Sequence, residues 1–588
     1  MGWGTGMDNQ INEVTIVGGG TAGWLAAAFL VRFMNLRNKQ NPVIITLIES
    51  PNVPTIGVGE ATVPTMPGLL RSLGISEKEF FIRCNASFKL GVRFSNWNHD
   101  RQGRGTSFIH PFDGISTQLG GQNPAYHFHK FGGPPGRDNI DDCLAVSGAA
   151  IAAKVGPKLL THGDYESQLN YAYHLDAGKF AEFLREISIG RGVNHVLDDV
   201  EEIEQDERGY ISALKLQRQG RHPVELVIDC TGFKGVIINQ VLGVPFRDYS
   251  KYLLNNRAMA VQIPHRDVSK IEPCTNSTAL GAGWVWRVPL YNRIGTGYVF
   301  SSNFRSDDEA RDEFLAHLGE DGKKAEPRVI PVRIGRMERA WEKNCIAIGL
   351  SAGFIEPLES TAIYMIENFV KLLLINFPDK SFPPILSQRF NEKTEKMMQS
   401  IRDFIILHYC TNNREDSEYW RVAREEMELP ESVENLLEEY RHTLPVNTDF
   451  DGVYLFNYFS YNTILFSKGY LGGIRYPAER FIVREDWDQR IADFLKYEQK
   501  KLAGLPNHYQ LLRKIRGEDD AQVPQSGISF GGFGGPAFGA PPGGIQMPQA
   551  TVQLGGGPMK PSIRFAAKKS EEPAKKAEQD DLSGSHIL

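Results

Sequence analysis

Gly18, Gly20 and Gly23 stand in Gly-x-Gly-x-x-Gly spacing inside "NEVTIVGGGTAGWLAAAFLVRF" (residues 12–33), where an apolar β-rich run meets an alanine- and leucine-rich helical run. The chemistry open to such a loop is phosphate binding. The first glycine permits a tight turn, the second lets a pyrophosphate approach the backbone, and the third lets helix and strand pack closely. Thr21 and Ala22 open the helix, whose N-terminus offers free N–H groups and the positive end of a dipole. Glu49 ends the next apolar run, "VIITLIE", where a carboxylate can take ribose hydroxyls. Far downstream, "VIDCTGF" and "CIAIGLSAGF" (the second carrying Gly349) again read as strands that stop at glycine loops. A chain that returns twice to one nucleotide points to FAD, an extended cofactor. No second Gly-x-Gly-x-x-Gly appears for NAD(P)H.

Three further stretches carry reactive or unusual side chains. "GWVWRVP" holds Trp284 and Trp286, two of the chain's eight tryptophans. On a strand, i and i+2 share a face, so both indoles would stand side by side. By composition alone the stretch reads as a core strand. Lys89, between Phe88 and Leu90, reads as an exposed strand residue whose apolar neighbours face inward. Glu359, Ser360 and Thr361 open an apparent helix from Ser360, where acids and hydroxyls are favoured as caps. The amides of Thr361 and Ala362, at that helix start, are of the kind that bind anions.

The elements that must position these groups alternate strand and helix, which predicts an α/β (α+β, two-lobed) fold. Residues 177–190 carry a helical period, 195–232 and 258–300 read as strands, and 385–440 as mostly helix. Residues 105–165, rich in Gly, Pro and His, read as loops. At 588 residues the chain exceeds what one core usually serves. The expected division is a cofactor module with interleaved substrate-pocket segments over 1–385, a mainly helical substrate-side region over 386–520, and a tail over 521–588. That tail, Gly/Pro-rich and then charge-rich, cannot bury enough surface to offset ordering entropy and reads as disordered. Hydrophobic content of 41%, charged content of 23% and net charge −6 give no case for nucleic acid or an anionic membrane. The six cysteines lie far apart with no Cys-x-x-Cys pair, so reduced thiols and no metal are expected. No run suits a membrane span or a signal peptide, which makes a cytoplasmic enzyme the default.

"GGGTAGW", "GVGEATVP", "FKLGVRFSNW", "GWVWRVP" and "GFIEPLEST" occur in that order. Together they resemble the flavin-dependent halogenases of the tryptophan-halogenase group, from about Glu13 to about Lys514. Monooxygenase relatives share the glycine loop but lack the double-tryptophan segment. The resemblance implies an FAD-binding, Rossmann-like flavoprotein-monooxygenase fold with a mixed-sheet substrate lobe, and it adds Ala61 to the cofactor residues. It implies that reduced FAD (FADH2), O2 and a halide (chloride, bromide or iodide) make hypohalous acid, which travels to a separate pocket and halogenates an electron-rich aromatic. Reduced flavin would come from a separate NAD(P)H-dependent flavin reductase, and a homo-oligomer is possible. Lys89 matches the essential lysine, which either donates a hydrogen bond to the hypohalous oxygen or forms a haloamine. Glu359 matches the active-site glutamate, which stabilises the arenium intermediate and accepts its proton. Ser360 would bridge the lysine and the flavin region, and Thr361 and Ala362 would hold halide. Ala362 departs from the usual glycine, which leaves the preferred halide open. His110 and Phe112 sit where relatives line the substrate pocket, and Tyr461 stands where tryptophan-specific members stack a tryptophan. An indole, phenol or pyrrole, free or carrier-tethered, is expected rather than free tryptophan. Trp284 and Trp286 would separate flavin from substrate, between the flavin end and Lys89. That wall argues against a direct monooxygenase, which needs its substrate beside the flavin. Lys89 and Glu359 together argue against a non-catalytic FAD-binding scaffold.

Overall fold

The structure, a computed structural model, describes residues 9–36, 39–53, 59–114, 123–450 and 455–518. The glycine-loop strand Glu13–Val17 is central in a six-stranded sheet, flanked by Ile44–Glu49 and Leu226–Asp229. Asn194–Leu197 lies outside the first neighbour and Cys345–Ala347 outside the second, all in parallel register, and the short Trp341–Glu342 closes the edge antiparallel. Parallel strands covered on both faces read as continuous apolar runs. Val14, Ile16, Leu47, Ile228 and Ile346 accordingly have no exposed surface. The parallel register brings the carboxyl ends of four strands to one edge, where Gly18, Glu49, Cys230 and Gly349 leave the sheet. Cys230 N–H donates to the Val17 carbonyl and Ile348 N–H to the Asp229 carbonyl, so the two later returns of the chain dock directly beside the first loop.

The double-tryptophan strand Gly283–Pro289 lies in the middle of a seven-stranded sheet ordered Arg328–Pro331, Arg257–Ile263, Ile294–Phe300, Gly283–Pro289, Thr275–Leu280, Gly91–His99, Gly105–Pro111. Its pairings are antiparallel except between Thr275–Leu280 and Gly91–His99. Trp286 stands opposite Gly297, where a β-carbon would fall 2.1 Å from the indole ring. The absent side chain makes the space that the ring occupies. A small sheet of Gly59–Ala61, Ala172–Asp176 and Ser87–Lys89 carries Lys89 at its end.

Helices Ala362–Ile375 and Pro384–Cys410 follow, then Tyr458–Ser467 and Arg484–Leu502. Two sequence expectations need correction. The 105–165 stretch holds the edge strand Gly105–Pro111 and helices Pro124–Phe131, Ile140–Leu144 and Ser147–Ala152. Its Gly, Pro and His residues punctuate short elements that are buried by tertiary packing, which local composition does not register. The apparent helix from Ser360 begins at Ala362: Pro357–Glu359 is a single 3-10 turn and Ser360 adopts φ +61°. Among the described residues no helix is long and apolar enough to cross a membrane, and all six cysteines are free. Residues 521–588 lie outside the described residues.

Candidate active site

At the carboxyl edge of the parallel sheet, the glycines are explained by close approach. Gly18 has φ +116°, and a β-carbon there would lie 2.2 Å from the Cys230 carbonyl oxygen. A β-carbon on Gly23 would lie 1.9 Å from the Gly18 carbonyl oxygen, on Gly19 2.1 Å from the Glu49 carboxyl, and on Gly349 2.6 Å from the Ala22 side chain. Gly20 is different: nothing lies within 4 Å of its would-be β-carbon, and it caps the helix Thr21–Leu30 without any side-chain hydrogen bond. Open space before uncapped N–H groups at a helix start suits a pyrophosphate. Glu49 stands beside this loop and is held by His195, whose Nε2 lies 3.0 Å from Oε2. The fit to a dinucleotide such as FAD is therefore direct. Ala61 is not part of this loop cluster. It sits on the small sheet next to Thr62, on the lysine side, and Gly57 and Val58 of its motif fall outside the described residues.

Lys89 is buried, contrary to its reading as an exposed strand residue. Phe88 and Leu90 are buried as well, because this short strand is enclosed on both faces. Lys89 Nζ donates to the Thr62 carbonyl at 3.0 Å and to Ser360 Oγ at 2.9 Å, and lies 5.1 Å from the centre of the Phe112 ring. Burial pushes its ammonium down to about 7, against the pull of the Glu359 carboxylate. Ser360 pays for this contact with left-handed backbone, a strained setting for a non-glycine residue that is found where geometry matters to function.

Glu359 is 2% exposed and does not cap the following helix. Its Oε1 meets His110 Nδ1 at 2.9 Å and His408 Nε2 at 3.0 Å. Burial would raise its carboxyl, but the two imidazoles outweigh that and hold it down to about 2. Thr361, which precedes the helix, makes no side-chain cap, and its hydroxyl is buried without a partner among the described residues. Together with the start of a 14-residue helix at Ala362, this is a polar niche that fits an anion.

The rings beside His110 are Phe404 (centroids 5.6 Å apart) and Phe456 (6.0 Å), themselves stacked at 3.9 Å. Tyr461 stands one ring further out, 5.1 Å from Phe404 and 4.8 Å from Phe450. The wall next to His110 therefore belongs to Phe456, five positions before the tyrosine singled out from sequence. One turn of helix Tyr458–Ser467, capped by Asn457, carries Tyr461 away. His408 and Phe404 also escaped the sequence reading. The available signal was a histidine inside the apolar run "FIILHY". A buried imidazole at that spacing needs a polar partner.

Trp284 and Trp286 do share one face, with ring centroids 6.4 Å apart and planes at 63°. Trp284 is buried and Trp286 partly so. The Trp284 indole N–H donates to Glu356 Oε2 at 3.2 Å, and Asn255 Nδ2 and the Tyr409 hydroxyl donate to the same carboxylate. Trp97 links this pair to the acid site, 6.4 Å from Trp284 and 6.1 Å from His408. Glu356 is thus the anchor of Trp284, a role invisible in "GFIEPLEST". Glu356→Ala strands three buried donors and should cost about 3 kcal/mol, read as a lower melting temperature; an unchanged melting temperature would contradict this anchoring role.

The family model described as tryptophan halogenase matches residues 13–478. The tryptophan 6-halogenase ThaL of Streptomyces albogriseolus is 37% identical over 541 residues, covering 87% of this chain and 100% of that protein. Among solved structures, a tryptophan halogenase from Shewanella frigidimarina NCIMB 400 matches with a TM-score of 0.80 at 34% identity, covering 87% of this chain and 98% of that one. BrvH, a flavin-dependent halogenase from Brevundimonas sp. BAL3, matches with a TM-score of 0.76 at 35% identity, covering 86% and 99%. Likeness of this length takes in the glycine cradle, the buried lysine and the double-tryptophan strand alike, and the chain therefore belongs to the tryptophan-halogenase family, as a flavin-dependent halogenase.

Proposed function

We propose that the chain halogenates an electron-rich aromatic of indole type with hypohalous acid made from halide, O2 and reduced FAD. The observation that carries this reading is Lys89, a fully buried amine tied to Ser360 Oγ at 2.9 Å, next in sequence to the acid Glu359. Gly18, Gly20, Gly23 and the start of helix Thr21–Leu30 would hold the pyrophosphate, Glu49 the ribose, and Gly349 would border the loop. The reduced flavin, when bound, supplies with O2 the oxidation of halide to hypohalous acid. Flavin-dependent halogenases draw reduced flavin from a separate reductase, here assigned to an NAD(P)H-dependent flavin reductase.

The amides of Thr361 and Ala362 would hold halide. An ammonium has three hydrogens, and two of Lys89's are taken by Thr62 and Ser360. The third is free to polarise the hypohalous oxygen and to hold the oxidant in one place. Glu359, kept ionised, supplies the negative charge that a cationic ring intermediate needs. Trp284 and Trp286 would separate the flavin from the organic substrate. His110 and Phe456, with Phe112 over the lysine, would form the walls for a flat ring. ThaL is by its name a tryptophan halogenase, so tryptophan joins indole among the compounds to test. Phe456→Ala should raise KM for the aromatic about tenfold with a smaller effect on kcat, since it removes wall rather than chemistry. A KM unchanged in steady-state kinetics would remove Phe456 from the pocket.

The function itself is tested with the FAD-loaded enzyme, a generic flavin reductase, NADH, and chloride, bromide or iodide. A halogenated product from indole, tryptophan or a phenol is the expected result, seen by mass spectrometry. Folded, FAD-binding protein that halogenates none of them overturns the reading.

A further inference from the structure

We infer that His174 is a positioning residue for halogen transfer: through Ser87 and Thr275 it ties the strand of Lys89 to the sheet of the double tryptophan, and so fixes where the amine meets the oxidant. The inference rests on the halogenation reading above. Lys89 ends the short strand Ser87–Lys89, which pairs along one edge with Ala172–Asp176. So short a strand draws little rigidity from its own ladder. Directly opposed residues share a face of a sheet. Lys89 opposes Ala172 and Ser87 opposes His174, so the lysine and the imidazole stand on the same face.

The hydrogen bonds around His174 fix its tautomer. Ser87 has one hydroxyl hydrogen and donates it to the Pro289 carbonyl oxygen at 2.5 Å. Its oxygen then accepts from His174 Nδ1, 3.1 Å away, so Nδ1 carries the hydrogen. Nε2 is left to accept from the Thr275 hydroxyl, at 2.9 Å. All three side chains are buried, and burial first, then the Lys89 charge, holds the imidazole well below its usual range. The ring is therefore neutral. A charged imidazole on this face would press Lys89 toward the amine by like-charge repulsion; the neutral one leaves the ammonium in place.

The two ends of this chain lie on neighbouring strands of the seven-stranded sheet. Pro289 closes the double-tryptophan strand Gly283–Pro289, and Thr275 opens Thr275–Leu280. The other edge of the lysine strand is held to the same region. Leu90 N–H donates to the Pro273 carbonyl at 2.8 Å, and Phe88 N–H to His508 Nε2 at 3.1 Å, while His508 Nδ1 donates to the Ile271 carbonyl at 3.1 Å. Thr62 and Ser360 orient the Lys89 ammonium itself; His174 places the strand that carries it. A displacement of about 1 Å at a reacting group can cost a hundredfold. His174 touches neither oxidant nor substrate, so its loss should misdirect the hypohalous acid rather than stop its formation.

The test uses the full FAD-loaded enzyme fed by a flavin reductase, with indole or L-tryptophan, the halide that gives product, and excess taurine to trap escaping hypohalous acid as a haloamine. Mass spectrometry gives the ratio of halogenated aromatic to haloamine, read beside flavin reoxidation, FAD affinity and melting temperature. His174→Leu should lower the ratio about tenfold, with flavin reoxidation and FAD affinity within about twofold of wild type. Ser87→Ala and Thr275→Val, each breaking one end of the chain, should lower it in the same direction. His174→Asn, whose amide can donate to Ser87 from the place of Nδ1, should restore part of it. A merely structural role would move the melting temperature and leave the ratio alone. Should His174→Leu fail to fold, His174→Asn and the two end variants decide by the same ratio. Folded variants with a ratio within about twofold of wild type overturn the inference. So does a ratio that falls in the His174 variants but in neither Ser87→Ala nor Thr275→Val, and so does a loss of flavin reoxidation equal to the loss of product. A wild type that halogenates neither probe overturns the functional reading instead.

Discussion

Lys89→Met is expected to abolish halogenated product, by about a thousandfold or more, while the protein folds and binds FAD as the wild type does. Methionine keeps most of the buried volume of the side chain but offers no hydrogen to the hypohalous oxygen. Product would be followed by mass spectrometry and FAD binding by fluorescence titration. A variant that retains half the activity shows that the lysine is structural. The same substitution has a stability signature of known sign. The folded lysine titrates at about 7 and the free side chain at 10.5. Between those values the unfolded chain holds a proton that the folded chain has released, so stability rises with pH across that window. Below it both states are protonated, and the cost of the buried charge is constant and complete. Lys89→Met removes this slope and should raise stability at pH 7 and below by a few kcal/mol on the order set by a shift of this size. Melting temperatures of the two proteins across pH 6 to 10 (about the span of the window) would show it; parallel curves would contradict a strongly depressed amine.

Gly23→Val should lower FAD affinity at least about a hundredfold, or about 2.7 kcal/mol. Its β-carbon would sit 1.9 Å from the Gly18 carbonyl oxygen and 3.5 Å from the Ile16 side chain, so the helix Thr21–Leu30 must lift off the strand that aims it. Displacing the helix moves the N–H groups meant for the pyrophosphate, and overpacking costs about 1–3 kcal/mol of stability as well. Gly20→Val is the informative contrast. Nothing lies within 4 Å of a β-carbon there, so apart from the poorer helix N-cap, about 1 kcal/mol, the protein should melt close to the wild type. FAD affinity should still fall, because the open space belongs to the phosphate. Two melting curves and two FAD titrations separate the roles. If Gly20→Val binds FAD normally, the cradle does not hold the pyrophosphate where the loop geometry puts it.

The cofactor half of this protein was legible in its sequence because the determinants are local. A turn that needs Gly18, a contact that excludes any side chain at Gly23, and an apolar strand buried on both faces each write themselves into a few consecutive residues. The same holds for Trp284 and Trp286, whose shared face follows from strand periodicity alone. The halogenating half was legible only as a resemblance: Lys89 and Glu359 could be named through their motifs, yet their bare residue patterns pointed to an exposed lysine and a helix cap. What buries Lys89 is a small sheet closed by Ala172–Asp176, far along the chain. What makes Glu359 an ionised partner of two imidazoles is that His110 and His408 come from an edge strand and a 27-residue helix, 249 and 49 positions away. Phe456, rather than Tyr461, faces His110 because the turn before helix Tyr458–Ser467 sets which ring points inward. Periodicity and spacing describe what a residue does with its near neighbours in sequence. The charge state of a buried acid and the wall of a pocket depend on groups the chain gathers from afar, and only the tertiary structure decides those.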